Sequence, residues 1–394
     1  MTDTTGSTGG TSTGGTSAGR GATATGRTVG TAVDARRAGY AFGNGFVNAV
    51  ATLPGGVRVR TAGRCGGMSY SVLDHLTAGR DAPSWPPTLF APGRVPPDGH
   101  LVADHLRARQ LDSFRTASAL RFLTWSVLPD ADVGPLAGVR TRTRRALPRV
   151  LRALAEGRPV VLGLVVARTL VRSGDNHQVV ATGFVRDPTT GAVTLTVLDP
   201  NVPRRQVTLH GTADGWRTDD GRLWRGFFAH AYRPRTPPPL PSASRRPAAA
   251  VRSGAALALV HVATGRRLVL DGGGPALRAQ GTTTWTPTGP RAGRALADGA
   301  VVLLAAGGDA PAALTLDPDG LVPTATGAPP GAPDADGPTG PAVWRVVVEG
   351  GGAWREGSRV RLLHAATGAL LRGAGERTGS TFTPDAQTWW TVGS

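Results

Sequence analysis

Residues 177–201 read HQVVATGFVRDPTTGAVTLTVLDPN. Two runs rich in β-branched and apolar residues flank Asp187–Gly191, DPTTG, whose composition is that of a tight turn. A hairpin about this turn has arms of nearly equal length, which brings His177 and Asp199 close together at its open end. Upstream, PVVLGLVVA (159–167) reads as a buried strand, and downstream GRLWRGFFAHAYRP (221–234) reads as a last one. Helical patterns come earlier, over Leu101–Leu111 and Arg144–Glu156. Helices that precede a largely antiparallel sheet predict an α+β domain.

The one cysteine of the 394 residues, Cys65, lies in GRCGGMSYSVLDHL (63–76). Met68, Val72, Leu73 and Leu76 recur at near-helical spacing and Gly79 is a stop signal, so Cys65 opens a helix. The free N–H groups and positive dipole end of a helix start favour a thiolate. Gly66 and Gly67 add no side-chain bulk beside it. A cysteine nucleophile needs an imidazole to hold its proton, and that imidazole needs an acceptor on its other nitrogen. Cys65, His177 and Asp199 supply the three groups. Against this stands the usual condition of an isolated cysteine, which is a small inert core residue.

In order and setting, these residues resemble the papain-like cysteine peptidase superfamily, and in particular its bacterial branch that includes the bacteriocin-leader (double-glycine) peptidases. NHQVVATGF and VLDPNVP are similar to that branch's H-x-V-V-x-x-G-[YF] and DP-[NA] segments. The resemblance implies Cys65 as nucleophile, His177 as general base and acid, and Asp199 as orienting residue, with Asn201 as its substitute. It departs where the family places a glutamine six residues before the nucleophile, because Val59 stands there. Asn48 in GFVNAV, or Asn44, is then the candidate side-chain oxyanion donor, assisted by the backbone N–H of Cys65.

The last 140 or so residues repeat themselves. LVHVATGRRL (259–268) and LLHAATGALL (362–371) agree at six of ten positions, and a degenerate middle copy places Leu314 where Leu268 and Leu371 stand. A tryptophan follows in each copy: Trp285, Trp344 and Trp390. Three strand-rich copies predict a closed threefold all-β barrel. The recurring TG hairpins resemble a β-trefoil of the MIR or fascin-like kind. Gln387-Thr388-Trp389 is one Q-x-W, a feature of ricin-type sugar-binding trefoils, though a single copy suits core packing better than sugar binding. Asp271 and Asp317, each closing an L-x-L-D strand, are candidate sugar-hydroxyl acceptors or plain turn formers. His261 and His364 recur as hairpin residues.

The organisation expected is a disordered Gly/Ser/Thr-rich tail over 1–30, a papain-like α+β domain over 31–233, a Pro-rich linker over 234–254 and a β-trefoil over 255–394. The net charge of +17 comes from arginine alone, because the chain contains no lysine. The arginines are dispersed and no basic stripe interleaves with aromatics, so nucleic acid is not an expected partner. Asp74, His75, His100, Asp104 and His105 show no metal-ligand spacing, and neither metal nor cofactor is expected. His75 falls beyond the apolar stripe of its helix and is read as solvent-facing. The longest apolar run, 159–167, is too short to span a membrane, and the N-terminus carries no apolar signal core. A cytoplasmic protein is expected, with non-classical export left open. The function expected is hydrolysis of a peptide or amide bond in a peptide or protein substrate through Cys65, His177 and Asp199, the trefoil targeting a glycan or protein surface. The alternative is a non-catalytic two-domain binding protein for a glycan or protein partner.

Overall fold

The strand His177–Arg186 is buried along most of its length, and Val193–Leu198 beside it is buried at every second residue. The difference follows from what covers each face. In the computed structural model, which describes residues 28–52, 58–115, 117–243, 249–272, 274–307, 312–317, 319, 322–327 and 340–393, helices lie on both sides of the first of these strands. Val179 and Ala181 share a core with Val150, Leu151 and Leu154 of the helix Val139–Ala155. Val180, pointing the other way, joins Met68, Val72 and Leu73 of the helix Cys65–Thr77. Successive strand side chains alternate between faces, so a strand covered on both sides becomes apolar throughout.

These strands belong to an eight-stranded antiparallel sheet. Its order runs Gly226–Ala229, Val160–Val165, His177–Arg186, Val193–Leu198, Gln206–Thr212, Gly215–Thr218, Leu223–Trp224, and Val29–Gly30 pairs with the far end of His177–Arg186. A separate hairpin joins Val47–Thr52 to Arg58–Ala62.

The described residues are 34% strand and 21% helix, in two large antiparallel sheets. The expected α+β papain-like domain ahead of an all-β one is corrected accordingly: the molecule is mostly β. The reason lies largely after Leu198, where one further strand was expected and four occur. Glycines at positive φ, Gly215 at +146° and Gly221 at +85°, let the chain double back within a few residues. The short strands they separate carry too little periodicity to register as strands in the sequence. The helix Ala117–Val127 was likewise unread.

Twelve strands make the second sheet. Six of them close on one another in the order Ala258–His261, Trp285–Thr288, Val301–Ala306, Val343–Val348, Val360–His364, Trp390–Gly393, the last pairing again with the first. The Leu257–Trp285 bridge completes the ring. Three hairpins cap it: Arg267–Asp271 with Gly274–Arg278, Ala312–Leu316 with Pro323–Thr326, and Leu370–Ala374 with Arg377–Thr381. A six-stranded barrel with three capping hairpins is β-trefoil topology. Its threefold repeat reaches individual atoms. The indole N–H of Trp285 donates to Leu268 O (2.9 Å), that of Trp344 to Leu314 O (2.8 Å) and that of Trp390 to Leu371 O (3.1 Å). All three tryptophans are fully buried. His261 and His364 each pair Nδ1 with a Thr hydroxyl three residues on, at 2.9 Å.

The two sheets share a core rather than a tether. Val260 and Val262 of the barrel lie in one apolar cluster with Trp85, Phe90 and Val102. Leu101 N–H donates to Thr264 O (3.0 Å) across the junction. The described part of the Pro-rich segment is packed down: Trp85 Nε1 donates to Pro241 O (2.9 Å), Arg80 to Pro237 O (2.8 Å), and Ser84 N–H to Ser242 Oγ (3.0 Å). Residues 1–27 of the expected tail lie outside the described residues, as do 244–248 of the linker.

Each barrel tryptophan fills one third of a common core, so truncation leaves a cavity and an orphaned carbonyl. Trp344→Ala is expected to cost about 3–5 kcal/mol in urea unfolding, and Trp344→Phe about 1–3 kcal/mol less than that. A Trp344→Ala loss below about 1 kcal/mol would show that the repeat does not carry the barrel.

Candidate functional site

Cys65 is the first residue of the helix Cys65–Thr77, and Arg64 before it gives no side-chain cap to the first-turn N–H groups. Gly67 N–H donates to Gln110 Oε1 (2.7 Å). The two glycines after Cys65 serve helix packing. A Cβ on Gly67 would sit 2.1 Å from Leu106 O, and one on Gly66 would sit 2.5 Å from both Gln178 Nε2 and Ser113 Oγ. The helix therefore lies against Leu101–Phe114 closer than any side chain permits, and this approach aims its first residue at the sheet edge.

His177 opens its strand at that edge, and Asp199 follows the end of the neighbouring strand. His177 Nε2 lies 2.7 Å from Asp199 Oδ1. The carboxylate is itself oriented by the Asn201 backbone N–H, which donates to Oδ1 (2.7 Å). Asn201 also brings its carboxamide within 3.3 Å of the same Nε2. Because that N–H already points at Asp199, the carboxamide oxygen is the group that fits there. The Cys65 thiol, at the helix start, acts on the charge of the same imidazole. With Nε2 committed to Asp199, the Nδ1 side is left for it. Trp224 stacks on the imidazole at 5.9 Å and 18°, with the Arg222 guanidinium 4.2 Å above the indole. His177 is only 5% exposed, whereas Cys65 is half-buried.

Burial alone would lower the His177 pKa, but the hydrogen bonds to Asp199 and Cys65 and their negative charge outweigh it, and the imidazole is pushed up to about 10. Charged imidazole beside sulfur and carboxylate is an arrangement that can hold a proton for a leaving group while the sulfur attacks.

Of the other residues singled out in the sequence, Asn44 is pinned to the loop before the thiol, its Oδ1 accepting the Arg64 N–H. Asn48 sits on the strand Val47–Thr52, and its side chain lies outside the described residues. Asp271 is engaged in an ion pair with Arg278 (2.6 Å), and Asp317 accepts the Asp319 N–H (3.1 Å) as a turn former. Neither lines a described cavity. Trp389 is different. It is half-buried beneath Arg361 (3.7 Å from its ring centre) and Arg359 (5.1 Å), and it lines a cleft of about 360 Å³ between the two sheets.

Two features were missed in the sequence. His75, read as solvent-facing, is buried, with Nδ1 against Ser71 O at 2.7 Å, and burial lowers its pKa. Asp74, on the same helix, is fully enclosed by Arg109 (2.7 Å), the Tyr232 hydroxyl (2.6 Å) and the Arg235 N–H (3.0 Å). The His177–Trp224 stack also had no local signal, since forty-odd residues and four strands separate the rings.

No family model matches the chain, and no curated protein matches it. Solved structures that resemble it include the SDF2-like protein from Arabidopsis thaliana (TM-score 0.28, 19% identity, 37% of this chain and 96% of that one). A Caenorhabditis elegans protein of unknown function gives a TM-score of 0.29 at 17% identity over 37% of this chain and 96% of that one. The receptor binding domain of botulinum neurotoxin mosaic serotype C/D gives 0.30 at 8% identity, over 55% of this chain and 74% of that one. Likeness at this level decides neither site nor function. No helix among the described residues is long and apolar enough to cross a membrane.

The raised His177 pKa has a sign in stability. A group whose pKa rises on folding stabilises fully below its unfolded value, near 6.5, and the contribution disappears as pH climbs through the folded value, about 10. The stability advantage of the wild-type chain over His177→Gln should therefore shrink between pH 6.5 and pH 10 in denaturant unfolding. An advantage that grows over this window would contradict the charged imidazole.

Proposed function

We propose that the protein is a thiol-dependent hydrolase acting on an amide or peptide bond. What supports this reading is one imidazole held by Asp199 at 2.7 Å and raised in pKa by the Cys65 thiol of the neighbouring helix start. Sulfur attacks the substrate carbonyl, and an S–C bond forms as the C–N bond breaks. The proton held on His177 goes to the departing amine. Water, giving one proton back to His177 and keeping the other on the acid, then cleaves the thioester and releases the acid and the thiolate. The helix start after Arg64, through the Cys65 N–H, supports the developing oxyanion, as helix N-termini do, while the Gly67 N–H is taken by Gln110. Asp199 holds the ring so that Nδ1 faces the sulfur.

A second reading is a non-catalytic binding protein whose recognition surface joins the two sheets. What favours it is the enclosure of His177 beneath Trp224, together with the small size, about 20 Å³, of the cavity behind Asp199. Under this reading the cleft beneath Trp389 is the functional feature, and its partner is a glycan or a protein.

Iodoacetamide separates the two at neutral pH. A hydrolase thiol alkylates fast, and His177→Ala slows it on the order of tenfold or more, with Asp199→Asn in between. Slow alkylation that is equal in wild type and His177→Ala leaves the binding protein as the function.

A further inference from the structure

The cleft between the sheets holds about 360 Å³ and is walled by Phe46, Phe90 and Arg64 from one side and Val262, Arg359 and Trp389 from the other. This is the small end of the range of ligand pockets, about 300–1,000 Å³. It is room for one aromatic or branched side chain with some backbone, and too little for a folded partner. The walls are fixed in advance. Arg361 lies 3.7 Å above the Trp389 ring and Val262 N–H donates to Trp389 O (2.9 Å). Arg64 is 2% exposed and spends its guanidinium on Ala103 O (2.8 Å) and Asp98 Oδ1 (2.7 Å), with Phe46 4.5 Å beneath it. A cleft that does not have to close around its occupant loses little ordering entropy on binding.

Its position ties it to the thiol. Arg64, which forms one wall, is the residue immediately before Cys65, and consecutive Cα atoms are about 3.8 Å apart. Cleft wall and thiol are thus carried by consecutive residues of one helix start. We propose that the cleft receives an aromatic or branched apolar side chain flanking the scissile amide, so that the barrel, through Trp389 and Val262, selects the substrate. This rests on the hydrolase reading of Cys65, and it gives the barrel a role in specificity in place of remote targeting.

Two reagents test it on the full chain: 2-chloroacetamide, and N-benzyl-2-chloroacetamide, which carries an aromatic ring a few bonds from the same reacting carbon. In each, sulfur forms a bond to that carbon as chloride leaves. The benzyl reagent should label Cys65 roughly tenfold or more faster than the parent. Ala386→Trp, an exposed position on the cleft rim, should remove most of that preference, read as the ratio of the two rates, and Trp389→Ala should reduce it. Equal rates for the two reagents, or a preference untouched in Ala386→Trp, overturns the proposal and leaves the hydrolase standing. Slow labelling by both that His177→Ala does not change overturns the hydrolase and the substrate assignment with it. Binding of unreactive N-benzylacetamide to Cys65→Ser, lost in Ala386→Trp, then reports on the cleft by itself.

Discussion

A guanidinium buried next to the thiol sets the geometry of the whole site. Arg64 cannot be enclosed without partners, because an unpaired buried charge costs several kcal/mol. Its donors reach Ala103 O and Asp98, its face lies on Phe46, and its own N–H is held by Asn44. Two separate stretches of chain, 44–46 and 98–103, are thereby fixed to one residue. The helix that starts after it has its direction chosen by those bonds, and Gly66 and Gly67 then let it settle against Leu101–Phe114. The position of Cys65 at the edge of the sheet follows from these two constraints together.

Arginine does the same work elsewhere. Arg225 is nearly fully buried and ties Trp125 O, Leu128 O, Ala167 O and Asp130 together. Arg109 joins Asp74 and Asp112 to the backbone of Arg233. A planar fork with five donors can satisfy several carbonyls at once, which an ammonium group on a flexible stem does less well. In a chain without lysine, part of the +17 charge is thus spent inside, as bracing between loops.

What could be read from the sequence was local or periodic. The near-equal arms about DPTTG placed His177 near Asp199, and the register bears this geometry despite a shift between Ala181 and Gly183. The recurrence of Leu268, Leu314 and Leu371 with their tryptophans corresponds to three equivalent hydrogen bonds. Long-range encounters were illegible. Nothing near His177 announces Trp224, and nothing near Asp74 announces Arg109 or Tyr232. Polarity misled as well: His75 looked like a surface residue because its burial depends on a second helix. The class of the fold was misjudged for a related reason, since strands of two to four residues between glycines show no alternation to count.

The proline-rich segment between the sheets has a bearing on how the molecule comes apart. Since Pro237, Pro241 and Ser242 are bonded into the helical side, and Val260 and Val262 complete its apolar cluster, the helical half has no finished interior without the barrel, whereas the barrel has its own. Unfolding the barrel should therefore unfold the helical half with it. By the same token the barrel is not an interchangeable cassette: a ring grafted in its place would need to bring its own complement to Trp85 and Phe90.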